Sequence, residues 1–258
     1  MAKNNNLTDF LKGIADKLRS VLGTSELIDP QDFETKIDTV YQKGKQTQTD
    51  AFWESAQKTS AGALRTDYSY AFAGAMWNDE TYSPKYNIAP SNCSNLFFHN
   101  YNIIAPFKCV EYPNAPITID TSKSTNFDRF IYDCSVKALP TIDTTATTRL
   151  STSFSYAVSL KTIDKLILKS DGSQTFSSVF QGTTKLENIV IEGLIGQNGF
   201  DVSPCIKLTH DSLLSIINAL KDYSGTTTPK TVTLGATNLA KLTDAEKATA
   251  TEKGWTLA

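Results

Sequence analysis

The sequence predicts an α+β protein in which a helical hairpin leads into a β-solenoid closed by a helix-and-strand cap. Three observations predict it. Apolar residues near the start fall at helical spacing. The middle of the chain repeats one short unit at intervals of 22 to 26 residues, and the last 50 residues alternate helix signals with short strand-like runs.

The first helix rests on Leu7, Phe10, Leu11, Ile14, Leu18 and Val21, which form one apolar stripe at i, i+3, i+4, i+7, i+11 and i+14. Asn6 or Thr8 suits its N-cap, and Gly23 is placed to stop it. Asp29 is a natural N-cap for a second helix with Pro30 in its first turn, running over about 30–43. Phe33, Ile37 and Val40 carry its seam, and the spacing continues in less apolar form toward Trp53. Residues 1–57 therefore read as a helical anchor or oligomerisation segment, and the polar stretch Gln57 to Thr66 reads as a linker. Beyond it Trp77, Tyr82 and Tyr86 lie among turn-forming residues, where clustered aromatics cover the open end of a core more readily than they bind a ligand.

The repeat gives the middle its character. An apolar residue, two spacers and a small or thiol residue recur as Ile131 with Cys134, Phe154 with Ala157, Phe180 with Thr183, and Val202 with Cys205. Four positions before the first three stand Phe127, Leu150 and Phe176, and the runs ITIDTS, PTIDTT and KTIDKL recur beside them. One such unit cannot bury its own apolar residues. Stacked units set like on like at a strand spacing of about 4.8 Å. Cys134 and Cys205 share one slot of the unit, so the four cysteines (Cys93, Cys109, Cys134, Cys205) read as core fillers. No C-x-x-C pair supports a metal or redox role, and His99 and His210 sit in no recognisable Cys-His arrangement.

The end of the chain carries its own signals. Thr209 is the expected N-cap of a helix whose buried face is Leu213, Leu214, Ile216, Ile217 and Leu220. KTVTLGATN alternates as a strand, Thr243 to Glu246 is a capping box, Gly254 is a helix stop, and Trp255 to Leu257 is a final edge strand. The domain reading is 1–57 anchor, 67–208 solenoid and 209–258 cap.

Little in the sequence speaks for chemistry. The net charge of −2 gives a polyanion no invitation, so nucleic acid is not expected as a partner. No apolar run reaches the roughly 18 residues of a membrane span, and the start lacks a secretory core, so membrane insertion is not expected. No phosphate-binding, nucleophile-elbow or zinc-protease motif occurs, and no catalytic residue, cofactor or metal is assigned. His210, Asp211 and Ser212 are consecutive on a helix and so point apart, which rules out a relay. Asp120, Asp143 and Asp164 recur at spacings of 23 and 21 and form the one candidate acidic ladder, for calcium or for glycoside cleavage. Their ordinary role is to form turns.

The repeat F-x-x-[CAT]-x-x-L-x-x-I resembles the BspA-type leucine-rich repeats of bacterial surface and phage proteins. The chain as a whole looks like leucine-rich-repeat proteins of Firmicutes phages and prophages. The resemblance is carried by YSYAFAGAMWNDETYSPKYNI, TIDKLILKSDGSQTFSSVF, LENIVIEGLIG, LTHDSLLSIINALKDYSG and LGATNLAKLTDAEKATATEKGWTLA. LIDPQDFETKI and GKQTQTDAFWES resemble the start of phage minor structural proteins. Ala157 and Thr183 depart from the family unit, which commonly has cysteine there, and residues 93–130 are irregular. The resemblance implies a leucine-rich-repeat-like β-solenoid in a non-enzymatic virion protein of the tail or baseplate. That protein would be made in the host cytoplasm and would bind other virion proteins through its N-terminal helices and a host receptor through the solenoid. A homo-oligomer is the expected state. The alternatives are a bacterial surface adhesin and a glycan-cleaving solenoid.

Overall fold

The computed structural model describes residues 6–26, 28, 32, 34–40, 67, 86–100, 105–115 and 117–258. The chain divides into two compact units, residues 1–55 and 56–258. The linker, Trp77, Tyr82 and the extension of the second helix past residue 40 lie outside the described residues.

In the first unit, α1 spans Asn6–Leu22. It ends as its sequence dictates. Gly23 turns left-handed at φ +71°, and the N–H groups of Gly23 and Thr24 both donate to the Arg19 carbonyl. Ala15 and Leu18 are buried with Ile28, and Ile14, Leu22 and Val40 pack against them. A second helix, α2, covers 34–40. Ile37, expected on its buried seam, is 52% exposed, as is Val21 of α1 at 42%.

The second unit holds strands β1 (Tyr86–Ile88), β2 (Ile117–Ile119), β3 (Ala138–Asp143), β4 (Arg149–Ser151), β5 (Thr162–Ile167), β6 (Thr175–Ser177) and β7 (Asn188–Glu192). Then come α3 (His210–Asn218), β8 (Lys230–Val232), α4 (Ala236–Leu239), α5 (Asp244–Glu252) and β9 (Trp255–Leu257). Among the described residues all pairing is parallel, in four separate sheets: β1–β2, β3–β5–β7, β4–β6 and β8–β9.

This arrangement corrects the expected fold class. It is a mixed α/β structure of five helices and small parallel sheets among the described residues, and not a helical hairpin followed by a β-solenoid with a cap. The reason is visible at the sheet edges. The N–H of Asp143 on β3 donates to Thr121 Oγ1 at 2.7 Å, where a neighbouring strand would supply a carbonyl. On β7, Ile189 N–H donates to Ser212 Oγ (3.0 Å) and Ile191 N–H to Ser215 Oγ (2.8 Å), both hydroxyls of α3. Side-chain oxygens satisfy edge donors that would otherwise template another strand, so the three-stranded sheet stops at three.

Within this frame the repeat positions do stack. Phe154 and Phe180 lie parallel at 5.3 Å between centroids, and Phe130 and Phe200 meet them edge-on at 6.2 and 6.0 Å. All four are fully buried. Cys134, Ala157, Thr183 and Cys205 are buried beside them. Thr183 donates its hydroxyl to the Phe154 carbonyl, and the Cys134 thiol lies 3.1 Å from the Ile131 carbonyl. Buried Gln174 ties two turns together, donating to the carbonyls of Thr144 (2.7 Å) and Thr147 (3.1 Å).

The C-terminal caps form where the sequence places them, whereas Leu214, expected on the buried face of α3, is half-buried and Leu220 lies past the helix end. Thr209 caps α3 by accepting from Ser212 N–H, and Thr243 with Glu246 forms the capping box of α5. Asn238 anchors this part: fully buried, its Nδ2 donates to the carbonyls of Val202, Cys205 and Leu234.

Candidate recognition surface

The turns that join the short strands build the site. Cys93, Asn95, Phe97 and His99 donate their N–H groups to the carbonyls of Asn126, Asp128, Phe130 and Tyr132. Arg129, Ile131 and Asp133 donate in the same way to Ser151, Ser153 and Ser155, and Thr152, Phe154 and Tyr156 to Ser177, Val179 and Gln181. Each turn therefore sits on the next in one fixed register. Two of its positions are left-handed in every layer: Asn95, Arg129, Thr152 and Ser178 in one column, and His99, Asp133, Tyr156 and Gly182 in the other, with φ from +50° to +71°. Only one of these eight residues is glycine. Left-handed backbone is costly for the rest, above all for β-branched Thr152, and the stacked hydrogen bonds hold it there.

That backbone presents an aromatic–arginine cluster. Tyr132 and Phe98 stack at 5.5 Å, Tyr132 meets Tyr156 edge-on at 5.4 Å, and Tyr156 is 38% exposed. The Arg129 guanidinium lies 6.0 Å from the Phe98 ring and 5.8 Å from that of Tyr132, within cation–π range. His99 Nδ1 is 2.8 Å from Asp133 Oδ2. Tyr156 packs over Gly182, where a Cβ would come within 2.6 Å of its ring.

Asp128, which precedes Arg129 in the chain, lines an open cleft of about 590 Å³. Arg149 and Asp128 form an ion pair at 2.8 Å at its wall. Every lining residue is threonine, serine, asparagine, aspartate or arginine, with Thr125, Asn126, Thr148 and Thr175 among them.

The residues singled out from sequence fall elsewhere. Asp120 and Asp143 each accept from the backbone N–H two residues on, at Ser122 and Thr145. The Ser122 hydroxyl and N–H together hold the Asp120 carboxyl below the usual aspartate range. Asp164 does not stack on Asp143. Thr141 pairs with Lys165 and Asp143 with Ile167, so the register is 24 residues, and Asp164 lies in the irregularity between Ile163 and Leu166. It accepts instead from Val110 N–H at 2.9 Å. Of His210, Asp211 and Ser212, His210 Nε2 reaches Glu246 Oε1 at 2.9 Å and its Nδ1 lies 3.9 Å from Oδ1 of fully exposed Asp211, while Ser212 serves the β7 edge.

The four cysteines are free and buried. Burial pushes the thiols of Cys93, Cys134 and Cys205 up to about 12 and that of Cys109 to about 11. No group of three or more potential metal ligands occurs among the described residues. No described helix is long and apolar enough to cross a membrane.

Sequence reasoning passed over Phe98, Arg129, Tyr132 and Tyr156. A signal was present for two of them, because Tyr132 and Tyr156 occupy the spacer slots of the repeat, between Ile131 and Cys134 and between Phe154 and Ala157. No family model, no curated protein and no solved structure matches the chain.

Proposed function

We propose that this protein is a non-enzymatic structural component of a phage virion, associated with the tail or baseplate, that presents the aromatic–arginine cluster for recognition. The single observation that carries the recognition role is the exposure of Tyr156 and Arg129 on stacked, hydrogen-bonded turns. Tyrosine and arginine are enriched among the residues that dominate interface energetics, and a pre-formed backbone lowers the ordering cost of binding. The virion assignment is supported by the resemblance of the quoted segments to BspA-type leucine-rich-repeat proteins of Firmicutes phages. In this reading the N-terminal helices attach to other virion proteins, the chain acts as a homo-oligomer, and the cluster faces a host receptor or a neighbouring virion protein.

Mass spectrometry of purified virions, with copy number, tests the assignment. The chain is expected in several copies per particle, and its absence from particles rejects the virion role. Binding of the full chain to host cells then separates the two recognition partners. Strong binding to another virion protein without cell binding rejects the receptor role and leaves the structural one.

A further inference from the structure

We infer that the groove between the 108–112 turn and the start of α3 docks an arginine side chain carried within a segment of a protein partner. This contact goes beyond the aromatic–arginine cluster and shares no lining residue with it.

Three parts of the fold line the groove. The first is the solvent side of β5 and β7, where Thr162 pairs with Asn188 and where Asn188 and Val190 are exposed while Ile189 is buried. The second is a pinned turn. Lys108 N–H donates to the Ile117 carbonyl at 2.7 Å, Cys109 N–H to that of Tyr112 at 3.3 Å, and Val110 N–H to Asp164 Oδ2 at 2.9 Å. Cys109 is buried, yet Val110 beside it is 84% exposed. The third is the first turn of α3, tied to β7 through Ser212 Oγ. Val110, Asp164, Val190 and Asp211 line the same cavity of about 310 Å³. A site hydrogen-bonded into place before its partner arrives has little ordering left to do on binding.

Two features of the lining select the occupant. First, its hydroxyls are already bonded within the chain: Ser212 Oγ accepts from Ile189 N–H and donates to the Glu187 carbonyl at 3.3 Å, and Thr209 Oγ1 donates to Asn188 Oδ1 at 3.4 Å. A polyhydroxylated ligand finds little to pair with there. The groups left open are the side chains of Val110 and Val190 and the carboxylates.

Second, both charged groups in the lining are aspartates. Asp164 has no ion pair among the described residues, and Lys165 beside it is held by Glu192 at 2.7 Å. Asp211 is fully exposed, and His210 Nδ1, 3.9 Å away, is a cation only when protonated. An acidic or purely apolar group gains nothing from this pair. An arginine uses all of it: its alkyl stem lies along the valines and its guanidinium donates to the Asp164 carboxylate, with Asp211 adding attraction from the solvent side. Free arginine would bring its own carboxylate against the two aspartates, so the side chain comes from within a peptide. At about 310 Å³ the cavity stands at the small end of ligand sites and takes one side chain, not a helix face.

The test titrates the isotope-labelled full chain with acetyl-Leu-Arg-Leu-amide and follows backbone amides by nuclear magnetic resonance. The comparison ligands are the same peptide with Lys, Gln or Glu at its centre, free arginine, and spermidine. Shifts are expected to gather at Val110, Val190 and Asp211. The arginine peptide should bind at least about fivefold more tightly than any comparison ligand, and should weaken about threefold or more between low salt and roughly twice physiological salt. Asp164→Asn keeps an oxygen for the Val110 N–H, and Asp211→Asn changes a fully exposed side chain, so both should keep the thermal melt. Each should weaken binding about fivefold or more, as should Val110→Ser. Asp222→Asn removes the same charge outside the groove and should not. Equal binding of any comparison ligand overturns the inference, as do shifts confined to other surfaces and arginine-peptide binding that survives both Asp164→Asn and Asp211→Asn. Absence of arginine-peptide binding overturns it as well and leaves the aromatic–arginine cluster untouched.

Discussion

Phe154 and Phe180, 26 residues apart in the chain, stack with their ring planes 19° apart and their centroids 5.3 Å apart, and neither is exposed. Parallel offset rings at that distance are coupled beyond their burial. Truncating either to alanine should cost about 3–5 kcal/mol. Chemical denaturation of the two single variants and the double variant should show a coupling of about 0.5–1.5 kcal/mol. Strict additivity would mean that the rings are merely neighbours.

The left-handed columns predict opposite outcomes at two sites, one in each column. Thr152→Gly should stabilise the protein by about 0.5–1 kcal/mol, because relief of a β-branched residue at φ +51° outweighs the entropy that glycine adds to the unfolded chain. Gly182→Ala should destabilise, because φ is +71° and the new Cβ meets the Tyr156 ring at 2.6 Å. Thermal melts of the pair check this, and a loss in both would contradict it.

Ser212 completes the edge of β7. Ser212→Ala leaves the buried Ile189 N–H without its acceptor and should cost about 1–3 kcal/mol. Hydrogen exchange gives the specific readout. The Ile189 amide should lose protection by far more than amides of β4 and β6, whose partners are backbone carbonyls on one another's strands.

With pKa values of about 11 to 12, the four thiols are almost wholly protonated at pH 8, with roughly one part in a thousand or less as thiolate. A chromogenic disulfide reagent should titrate none within minutes in the native protein and all four in denaturant. Rapid reaction of one native thiol would place it outside the core.

Acid should destabilise the fold through its turns. Hydrogen bonds from Ser122 hold Asp120 below its ordinary value of 3.8, the Ser173 and Ser224 N–H groups do so for Asp171 and Asp222, and the Thr243 N–H holds Glu246 below 4.5. A carboxyl depressed on folding contributes stability above its unfolded pKa and loses it as pH falls through the folded one. The melting temperature should therefore stay level down to about pH 5 and fall below about pH 4. Asp120→Asn should flatten part of that fall, and a melting temperature that rises on acidification would sink the account.

The sequence by itself determined the local signals and the like-on-like pairs. Gly23 ends α1, Thr209 and Thr243 cap α3 and α5, and Phe154 meets Phe180, because each depends on a few neighbouring residues or on side-chain size. Only the tertiary structure decided where pairing stops and what faces outward. The hydroxyls of Thr121, Ser212 and Ser215 end the three-stranded sheet, a three-residue slip takes Asp164 off Asp143, and seven residues other than glycine accept left-handed backbone so that Tyr132, Tyr156 and Arg129 share one surface. A hydrogen bond between residues more than 20 positions apart, such as Asp143 to Thr121, leaves no periodic trace in composition. Its energy exists only once the turns have stacked.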